Sequence, residues 1–466
     1  MKMSVVPKAS PATLPELTTS LAPFAPLFRR STSRESVERY LTGLLTDLER
    51  KHCDTIAAAV AGTSTARLQQ VLTDATWAPQ ALDAQRVQAL VAQRPPSGLL
   101  LLDDTGLPKQ GRSSVGVARQ YSGTLGKVAN GQVVVSAHYV ADEPTSSAPV
   151  HWPLTARLYL PEAWAADSAR CAKVRVPTDV PFQTKPELAL ALVDQARTWG
   201  VPFACVVAAA GYGDTPTFRQ GLDDRQVAYV VGVSSTCGGR LPDEVQAAAL
   251  LPPPRPRGRG QPQKPRPAPL DAAKTVLDAV PEDRWQPLTW REHDDVVLRK
   301  QFVAMRVHWA TGGAQFATSH HRVATGPEGW LLGERPLPGE RGEVKWHYSH
   351  LPADTPLHRL VELAHRRWPI EQFYEDAKGE CGLDHYQGRR GDGLHRHLAL
   401  VMLAYSLLAC QRWTPANLAG FSPLWGAAVV SGGPPPGAAV ALPRCRVMAH
   451  RDQPDRPFSP QADLTK

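Results

Sequence analysis

Cysteine is scarce in this sequence and never closely paired. Seven cysteines are scattered through 466 residues, and no two of them form a C-x-x-C pair. Zinc sites and disulfide frameworks both use cysteines at short, regular spacings. The sequence therefore indicates neither kind of site, and it fits a protein of a reducing cytosol.

Long apolar runs are also missing. The longest covers residues 398–410 and directly follows His395, Arg396 and His397. A run of about thirteen residues is too short to cross a bilayer and predicts a buried helix. No apolar run follows Lys2, so we expect no signal peptide and no membrane partner.

Acidic residues are fewer than basic ones. Lysine and arginine number 52 against 44 acids, the formal net charge is +8, and 42% of the residues are hydrophobic, enough for a real core. A basic surplus favours a polyanionic partner, although ribosomal, membrane-surface and simply basic soluble proteins share it.

Composition and periodicity divide the chain into six segments. We expect a loose lead at 1–33, a small helical domain at 34–92, a first core part at 93–234, a β-rich insertion at 235–355, a second core part at 356–412 and a Pro/Gly-rich tail at 413–466. Ser33 is the expected cap of the first helix. The helical domain is either a DNA-binding domain or a helical cap on the core, and the sequence supports both equally.

The first core part is predicted to be an α/β structure. Four leucines at 99–102 indicate a buried strand that ends in Asp103 and Asp104. Further strands are expected at 115–121, 132–140, 203–208 and 227–231, with helices at 186–200 and 215–222. Strands that alternate with helices in this order are typical of an α/β fold.

The insertion contains a basic loop at 251–270. This loop is rich in proline and has no acid, and its five cations are Arg255, Arg257, Arg259, Lys264 and Arg266. We expect it to be mobile, because it cannot pack a core. Strands are predicted at 296–307, 329–332 and 344–348, and the tryptophans around them either stack on bases or, as is commoner in a small sheet, fill its core.

A helical stretch that begins at residue 357 places three charged residues on one face. Arg367, Glu371 and Lys378 stand at i, i+4 and i+11, within roughly 40° of one another on a helix. A carboxylate between two cations suits a group that holds a divalent metal while its neighbours bind phosphate. An ion pair on a solvated helix is the simpler explanation. Pro369 must either kink this helix or restart it.

Two upstream stretches favour the metal site over the simple ion pair. One strand is expected to end in Asp103, and another leads into the turn at 206–214. In a mixed sheet with helices on both faces, strand ends and a facing helix can converge on one site. Two metal ions held there by carboxylates can activate water and stabilise the leaving oxygen in phosphodiester cleavage.

Four stretches together resemble the Asp-Asp-Glu transposases of bacterial insertion sequences, most closely the IS-seven-zero-one family, a relative of the IS-four group. They are residues 101–111 (LLDDTGLPKQG), 116–123 (GVARQYSG), 211–214 (GYGD) and 367–378 (RWPIEQFYEDAK). The resemblance covers about residues 30–410. It implies an RNase H-like catalytic core that a β-rich insertion interrupts before the glutamate helix.

The resemblance also implies roles for single residues. Asp103 falls on the first catalytic aspartate, with Asp104 as a neighbour that could be confused with it, and Glu371 falls on the catalytic glutamate. Arg367 and Lys378 match the arginine and lysine of the Tyr-Arg-Glu-Lys signature, which contact DNA phosphates, and the signature tyrosine falls on Ala364. Further DNA contacts are expected at Lys109, Arg119, Arg255, Arg257 and Arg259. The implied cofactor is Mg²⁺ or Mn²⁺, two ions in a complete site.

Ala209 departs from this pattern, because it stands where the family has its second catalytic aspartate. Asp214 lies five residues on, across the turn. An alanine cannot bind metal, so we expect the chain to lack one of three metal carboxylates and to hold metal weakly or not at all. A lone alanine among intact motifs favours a substitution made to trap uncleaved DNA, and natural loss is the alternative.

The sequence thus predicts a cytoplasmic, nucleoid-associated DNA transposase that cleaves element ends and transfers them into target DNA, inactive as written. Its expected partner is double-stranded DNA, bound as a homodimer. The alternatives are a non-catalytic DNA-binding regulator derived from a transposase and another RNase H-like nuclease that acts on RNA–DNA hybrids.

Overall fold

The computed structural model describes residues 15–93, 95–122, 126–142, 150–243, 271–293, 296–313 and 325–412. The basic loop at 251–270, with Arg255, Arg257 and Arg259, and the tail at 413–466 lie outside these residues.

The N-terminal part is helical from residue 15 onwards. Its elements are α1 (Pro15–Leu21), a 3₁₀ turn (Ala22–Leu27), α2 (Ser31–Leu45), α3 (Cys53–Ala59), α4 (Thr65–Thr73) and α5 (Pro79–Ala92). The predicted loose lead at 1–33 is therefore wrong over 15–33, where Phe24 and Phe28 are buried against the helices that follow. Ser33 is not the cap of α2, which begins at Ser31 after an extended Arg30.

Helices α2 to α5 are packed on the rest of the chain as a cap. Apolar side chains of α2, α3, α4 and the start of α5 belong to the same buried cluster as the helix at Gly391–Arg412, whereas Val87 and Leu90 of α5 belong to a second cluster. Lys51 is buried and donates to the backbone carbonyls of Leu44 at 2.7 Å, Thr46 at 2.7 Å and Glu380 at 2.6 Å. The hydrogen bond to Glu380 links the N-terminal helices to the core. The buried ammonium group requires such partners, because an unpaired charge away from water is costly.

A mixed sheet with helices on both faces forms the centre of the molecule. Its first strands are β1 (Gly98–Pro108), β2 (Ala118–Ser122), β3 (Lys127–Ala141) and β4 (His151–Tyr159), followed by β5 (Phe203–Ala208) and β6 (Ala228–Val233). Strands β1, β5 and β6 are parallel neighbours, and β3 pairs antiparallel with β1 on one edge and with β4 on the other. The helices between these strands are α6 (Glu162–Ala165), α7 (Ser168–Lys173), α8 (Lys185–Thr198), α9 (Ala210–Gly213) and α10 (Pro216–Asp224).

Strand alternation separates two buried clusters, one on each face of this sheet. Leu99 and Leu101 of β1 belong to the cluster that contains the C-terminal helices. Leu100 and Leu102 belong to the cluster on the side of α8 and α10. The first face is called the C-terminal face below and the second the α8 face.

The predicted insertion extends the same sheet beyond β6. Its elements are β7 (Cys237–Arg240), β8 (Asp271–Ala272), α11 (Ala273–Asp278), a 3₁₀ turn (Glu282–Arg284), β9 (Gln286–His293), β10 (Val296–Gly313), β11 (Thr325–Arg335) and β12 (Lys345–Ser349). Strand β12 pairs antiparallel with β6, which joins the insertion to the core strands. Of its tryptophans, Trp285 and Trp309 are buried and Trp290 stacks on His365 with ring centres 4.2 Å apart, so these three serve packing.

Three helices complete the described chain: α12 (Leu357–His365), α13 (Trp368–Gly379) and α14 (Gly391–Arg412). Helix α14 is long and apolar enough to cross a membrane over Gly391–Cys410, but 78% of that stretch is buried inside the protein. It is the central core helix against which α2, α4 and α5 pack.

Candidate active site

Asp103 and Asp104 lie in the middle of β1, and the prediction that the strand ends there is wrong. The parallel ladder with β5 stops at the pair Leu102 and Ala208, whereas the antiparallel ladder with β3 continues to Pro108. The two aspartates therefore stand where β1 loses one neighbouring strand and keeps the other. A carboxylate at such a position is held by a rigid strand and still reaches the edge of β1 that β5 leaves unpaired.

Strand alternation sends the two carboxylates to opposite faces. Asp103 lies on the C-terminal face, where its Oδ2 is 2.5 Å from Nη1 of Arg367. Asp104 lies on the α8 face, where its Oδ2 is 3.1 Å from Nζ of Lys185 and accepts a 3.3 Å hydrogen bond from the hydroxyl of Tyr212. Asp103 thus faces the helix that carries Glu371, and Asp104 fixes the start of α8 to the turn after β5.

Arg367 joins the two acidic residues of the C-terminal face. Pro369 occupies the first turn of α13, so the proline restarts the helix, and Arg367 is its N-cap residue. From there the guanidinium forms ion pairs with both Asp103 and Glu371. A single planar cation with several donors can serve two carboxylates at once. The structure therefore brings Asp103, Glu371 and Arg367 together.

Burial perturbs the protonation of this pair. Desolvation raises the pKa of Asp103 to about 6, although Arg367 opposes the rise and Asp104 adds to it. For Arg367, burial lowers the pKa, but attraction to Asp103 and Glu371 outweighs that effect and the pKa is raised. The arginine is therefore charged at every relevant pH, and Asp103 changes its charge just below neutrality.

Ala209 directly follows β5 and is the N-cap residue of the short helix α9. The β1–β5 ladder ends with Leu102 and Ala208, so Asp103 and Ala209 are the residues that follow its last pair. Its side chain packs against the buried cluster of the α8 face. Asp214 forms a different contact: its Oδ1 accepts a 2.7 Å hydrogen bond from the backbone N–H of Ser234.

The residues of this site do not make a complete metal centre. Asp103 and Glu371 share the Arg367 guanidinium on the C-terminal face, whereas the Ala209 methyl group packs on the α8 face. Among the residues that the structure describes, no group of three or more His, Cys, Asp or Glu side chains is arranged to hold a metal ion. Mg²⁺ requires near-octahedral oxygen coordination, so the donor set does not fit it.

The remaining predicted DNA contacts differ in where they point. Lys378 lies on the same side as Arg367 and donates to Oγ1 of Thr105 at 2.7 Å, two residues beyond Asp103 on β1. Lys109 points inward and donates to the backbone carbonyls of Asp384 and Tyr386, and burial lowers its pKa to about 8. The structure thus contradicts a phosphate contact by Lys109. Arg119 is exposed on β2.

A buried polar chain beneath Asp103 was missed by the sequence reasoning. Ser136, the partner of Asp103 in the β1–β3 ladder, lies 2.6 Å from the hydroxyl of Tyr374 on α13 and 2.8 Å from Nε2 of His138. Nδ1 of His138 lies 3.1 Å from Nε2 of His151. These contacts fix α13, and with it Glu371, to β3 and β4. The signal was present in the sequence, because polar residues at 136 and 138 alternate within an otherwise apolar strand.

Comparisons with known proteins match most of the described chain. A family described as "DDE superfamily endonuclease" matches residues 23–294, and one described as "Transposase DDE domain" matches residues 184–407. A "Probable transposase for insertion sequence element IS701" from Microchaete diplosiphon is 30% identical over 212 residues, which are 45% of this chain and 51% of the relative. The chain thus spans about half the length of the curated relative that it matches.

Proposed function

Because the chain belongs to the DDE superfamily of endonucleases and transposases, we propose that it binds the DNA ends of its insertion sequence but cannot cleave them as written. The observation that carries this proposal is the site itself, where Asp103 and Glu371 share Arg367 and Ala209, which follows the last residue of β5 paired with β1, offers no carboxylate.

In a complete site of this kind, two Mg²⁺ or Mn²⁺ ions activate water and stabilise the leaving oxygen of a phosphodiester. Asp103, Glu371 and an acidic residue at position 209 would hold them. The chain lacks the third of these ligands, so we derive no cleavage step for it. With the ligand restored, the expected reaction is cleavage at the element ends followed by attack of the freed 3′-hydroxyl on target DNA.

The residues that remain are suited to binding phosphate. Arg367 and Lys378 lie on the C-terminal face, one on each side of Glu371 along α13. A DNA phosphate that approaches Asp103 would compete with the two carboxylates for the Arg367 guanidinium. Protonation of Asp103 weakens its hold on that guanidinium, so we expect phosphate binding at this site to strengthen as the pH falls through about 6.

The surrounding assembly is proposed on the same basis. We infer that the protein acts on double-stranded DNA in the bacterial cytoplasm and binds paired ends as a homodimer. A non-catalytic regulator that occupies element ends is the second candidate, and Ala209 is the feature that favours it. The two candidates differ in their expected response to Ala209→Asp. This change should restore cleavage of the end DNA in a transposase and should not do so in a regulator.

Binding is tested with a gel-shift titration of the chain as it stands. The probes are a 40-base-pair duplex that carries the end of the element encoding the chain, a scrambled duplex of equal composition, and an RNA–DNA hybrid of the scrambled sequence. We expect the end duplex to bind most tightly and to remain uncut in Mg²⁺. Preference for the hybrid would contradict the proposal and favour a nuclease of another kind.

A further inference from the structure

Strand β2 and the first residues of β3 form a two-stranded ribbon that leaves the body of the sheet. Residues 118–122 pair antiparallel with residues 127–131, and this pairing is called the β2–β3 ribbon below. Along β3, Gly131 is buried, whereas Lys127 and Val128 are exposed. In the part of the chain that the structure describes, β2 is an end strand of the sheet. The ribbon therefore projects into solvent.

The ribbon belongs to a stretch without any acidic residue. From 105 to 141 the sequence has no Asp or Glu and four cations, Lys109, Arg112, Arg119 and Lys127. Lys109 is turned inward, as described above, and the other three are exposed. A stretch of chain whose net charge is positive fits a polyanion.

Strand alternation places one face of the ribbon on the same side as the candidate active site. Ser136 and Val134 of β3 face α13 and the C-terminal cluster, so Val128, an even number of residues earlier, lies on that side too. Tyr121 is directly opposite Val128. Arg119, two residues before Tyr121 on β2, lies on the same face.

Two large apolar side chains are exposed on this face. Tyr121 is 47% exposed and Val128 is 52% exposed, and the two are a cross-strand pair. An aromatic and a branched side chain at the end of a basic ribbon present both charge and apolar surface. The major groove of B-DNA is wide enough for a two-stranded ribbon, and its thymine methyl groups offer apolar contacts.

The sheet also sets the distance between this pair and the active site. Val128 precedes Ser136, the partner of Asp103, by eight residues along one unbroken strand. At about 3.3 Å per residue this is roughly 26 Å. Because base pairs rise about 3.4 Å each, that length corresponds to about eight base pairs of DNA.

We propose that the β2–β3 ribbon enters the major groove of duplex DNA about eight base pairs from the phosphate at the Asp103 site. Arg119 and Arg112 contact phosphates beside the groove, and Tyr121 and Val128 contact base edges within it. This inference rests on the proposed function, because it assumes that DNA is the ligand of that site.

The test combines variants of the ribbon with matched variants elsewhere. Arg112→Ala/Arg119→Ala removes one exposed cation of the ribbon and one from the loop before it, and Lys274→Ala removes an exposed cation from α11 as the control. Tyr121→Ala removes the apolar contact, and Phe182→Ala, at a residue 38% exposed, is its control. Circular dichroism establishes that each variant is folded, and the probe is the 40-base-pair end duplex.

Two readouts carry the test. The double arginine variant should reduce the slope of log K against log salt by about 1.8, since each neutralised phosphate contributes about 0.9, while Lys274→Ala leaves the slope unchanged. Tyr121→Ala should weaken binding about tenfold, because the apolar contact with base edges in the major groove is lost. Phe182→Ala should bind like the parent protein.

Photocrosslinking then locates the contact. The bromine of 5-bromouracil lies in the major groove, so the base is placed singly at successive positions from the end of the duplex. We expect crosslinks to the ribbon to be strongest about six to ten base pairs from the end. Binding by the parent protein with unchanged affinity and slope in the ribbon variants, or crosslinks elsewhere, would overturn this inference and leave the proposed function standing. Failure of the parent protein to bind any duplex would overturn both.

Discussion

Replacing Asp103 with asparagine should change how the stability of the protein depends on pH. Burial raises the pKa of this carboxyl from 3.8 to about 6 in the folded protein. The folded state therefore binds the Asp103 proton more tightly than the unfolded state. Its contribution to stability is fully present below about pH 4 and is lost as the pH rises through about 6.

The magnitude follows from the size of the shift. A difference of roughly two pH units at 1.36 kcal/mol per unit is about 3 kcal/mol. The side chain of Asp103 is only 16% exposed, so solvent screens this effect little. Asp103→Asn cannot ionise, and its free energy of unfolding should rise relative to the parent by about 3 kcal/mol between pH 4 and pH 7.5.

Urea unfolding of the two proteins at half-unit steps between pH 4 and pH 7.5 measures this difference. Glu375→Gln removes a carboxylate from the exposed side of α13 and is the control for charge removal on the helix. A difference between the parent and Asp103→Asn that stays constant over the whole range would refute the reasoning. Asp103 would then not be the buried, proton-binding partner of Arg367.

Three further predictions concern the cap, the polar chain and the basic loop. Lys51→Met should lower the free energy of unfolding, measured by thermal unfolding, by about 3 kcal/mol, because three backbone carbonyl groups lose a charged donor. Lys274→Met, at the surface, is the control and should change this free energy by less than about 0.5 kcal/mol. Tyr374→Phe should cost about 1–2 kcal/mol in urea unfolding, because the hydroxyl of Ser136 loses a partner, and an unchanged midpoint would contradict the contact. Deletion of 251–270 should weaken binding to end and scrambled duplexes alike and reduce the salt slope by up to about 4.5, since five cations are lost; a loss confined to the end duplex would show that the loop reads sequence.

Local sequence patterns predicted the core strands well where a strand is uniformly apolar. The strand at 203–208 agrees with β5 because its short apolar run is bounded by a proline and a turn. The end of β1 was misplaced because Asp103 and Asp104 interrupt the apolar pattern, although the backbone continues to pair with β3. Strand β4 was missed because it contains Pro153, which a strand tolerates here at a shift in the ladder.

The mixed α/β class and the RNase H-like core expected from the resemblance are confirmed, and so is the family. Non-local packing explains what was not predicted. Helix α5 lies in the segment 34–92 that was expected to be helical, but its Asp83 and Arg86 bind each other inside the protein, and no local pattern indicates that such a charged pair is buried. The pairing of β12 with β6 joins residues more than a hundred positions apart, and no local pattern encodes such a partner.

The contacts within the candidate site could be predicted from the sequence only in part. Spacing on a helix suggested that Arg367 and Glu371 interact, and the structure adds that the same arginine binds Asp103. The inward direction of Lys109 depends on the loop at Asp384 and Tyr386, which lies about 275 residues away in the sequence. Side-chain direction at that distance is a property of the fold and not of any motif.

Restoring the missing carboxylate requires a variant that folds. Position 209 is the N-cap of α9, with an extended backbone that aspartate adopts readily and for which it is a preferred residue. The backbone at this position therefore accepts the aspartate of Ala209→Asp. Ala210→Asp, one residue further on and similarly half-buried, is the matched control.

The most direct test of the account is nicking of the end duplex by Ala209→Asp in Mg²⁺ or Mn²⁺. We predict metal-dependent nicks at the element end for this variant, none for the parent protein or Ala210→Asp, and loss of the restored activity when Asp103→Asn or Glu371→Gln is added. An Ala209→Asp protein that is folded, binds its end duplex and yet leaves it intact would contradict the claim that this carboxylate is what the site lacks. Nicking that survives Asp103→Asn but not Asp104→Asn would place the first metal ligand at Asp104 instead.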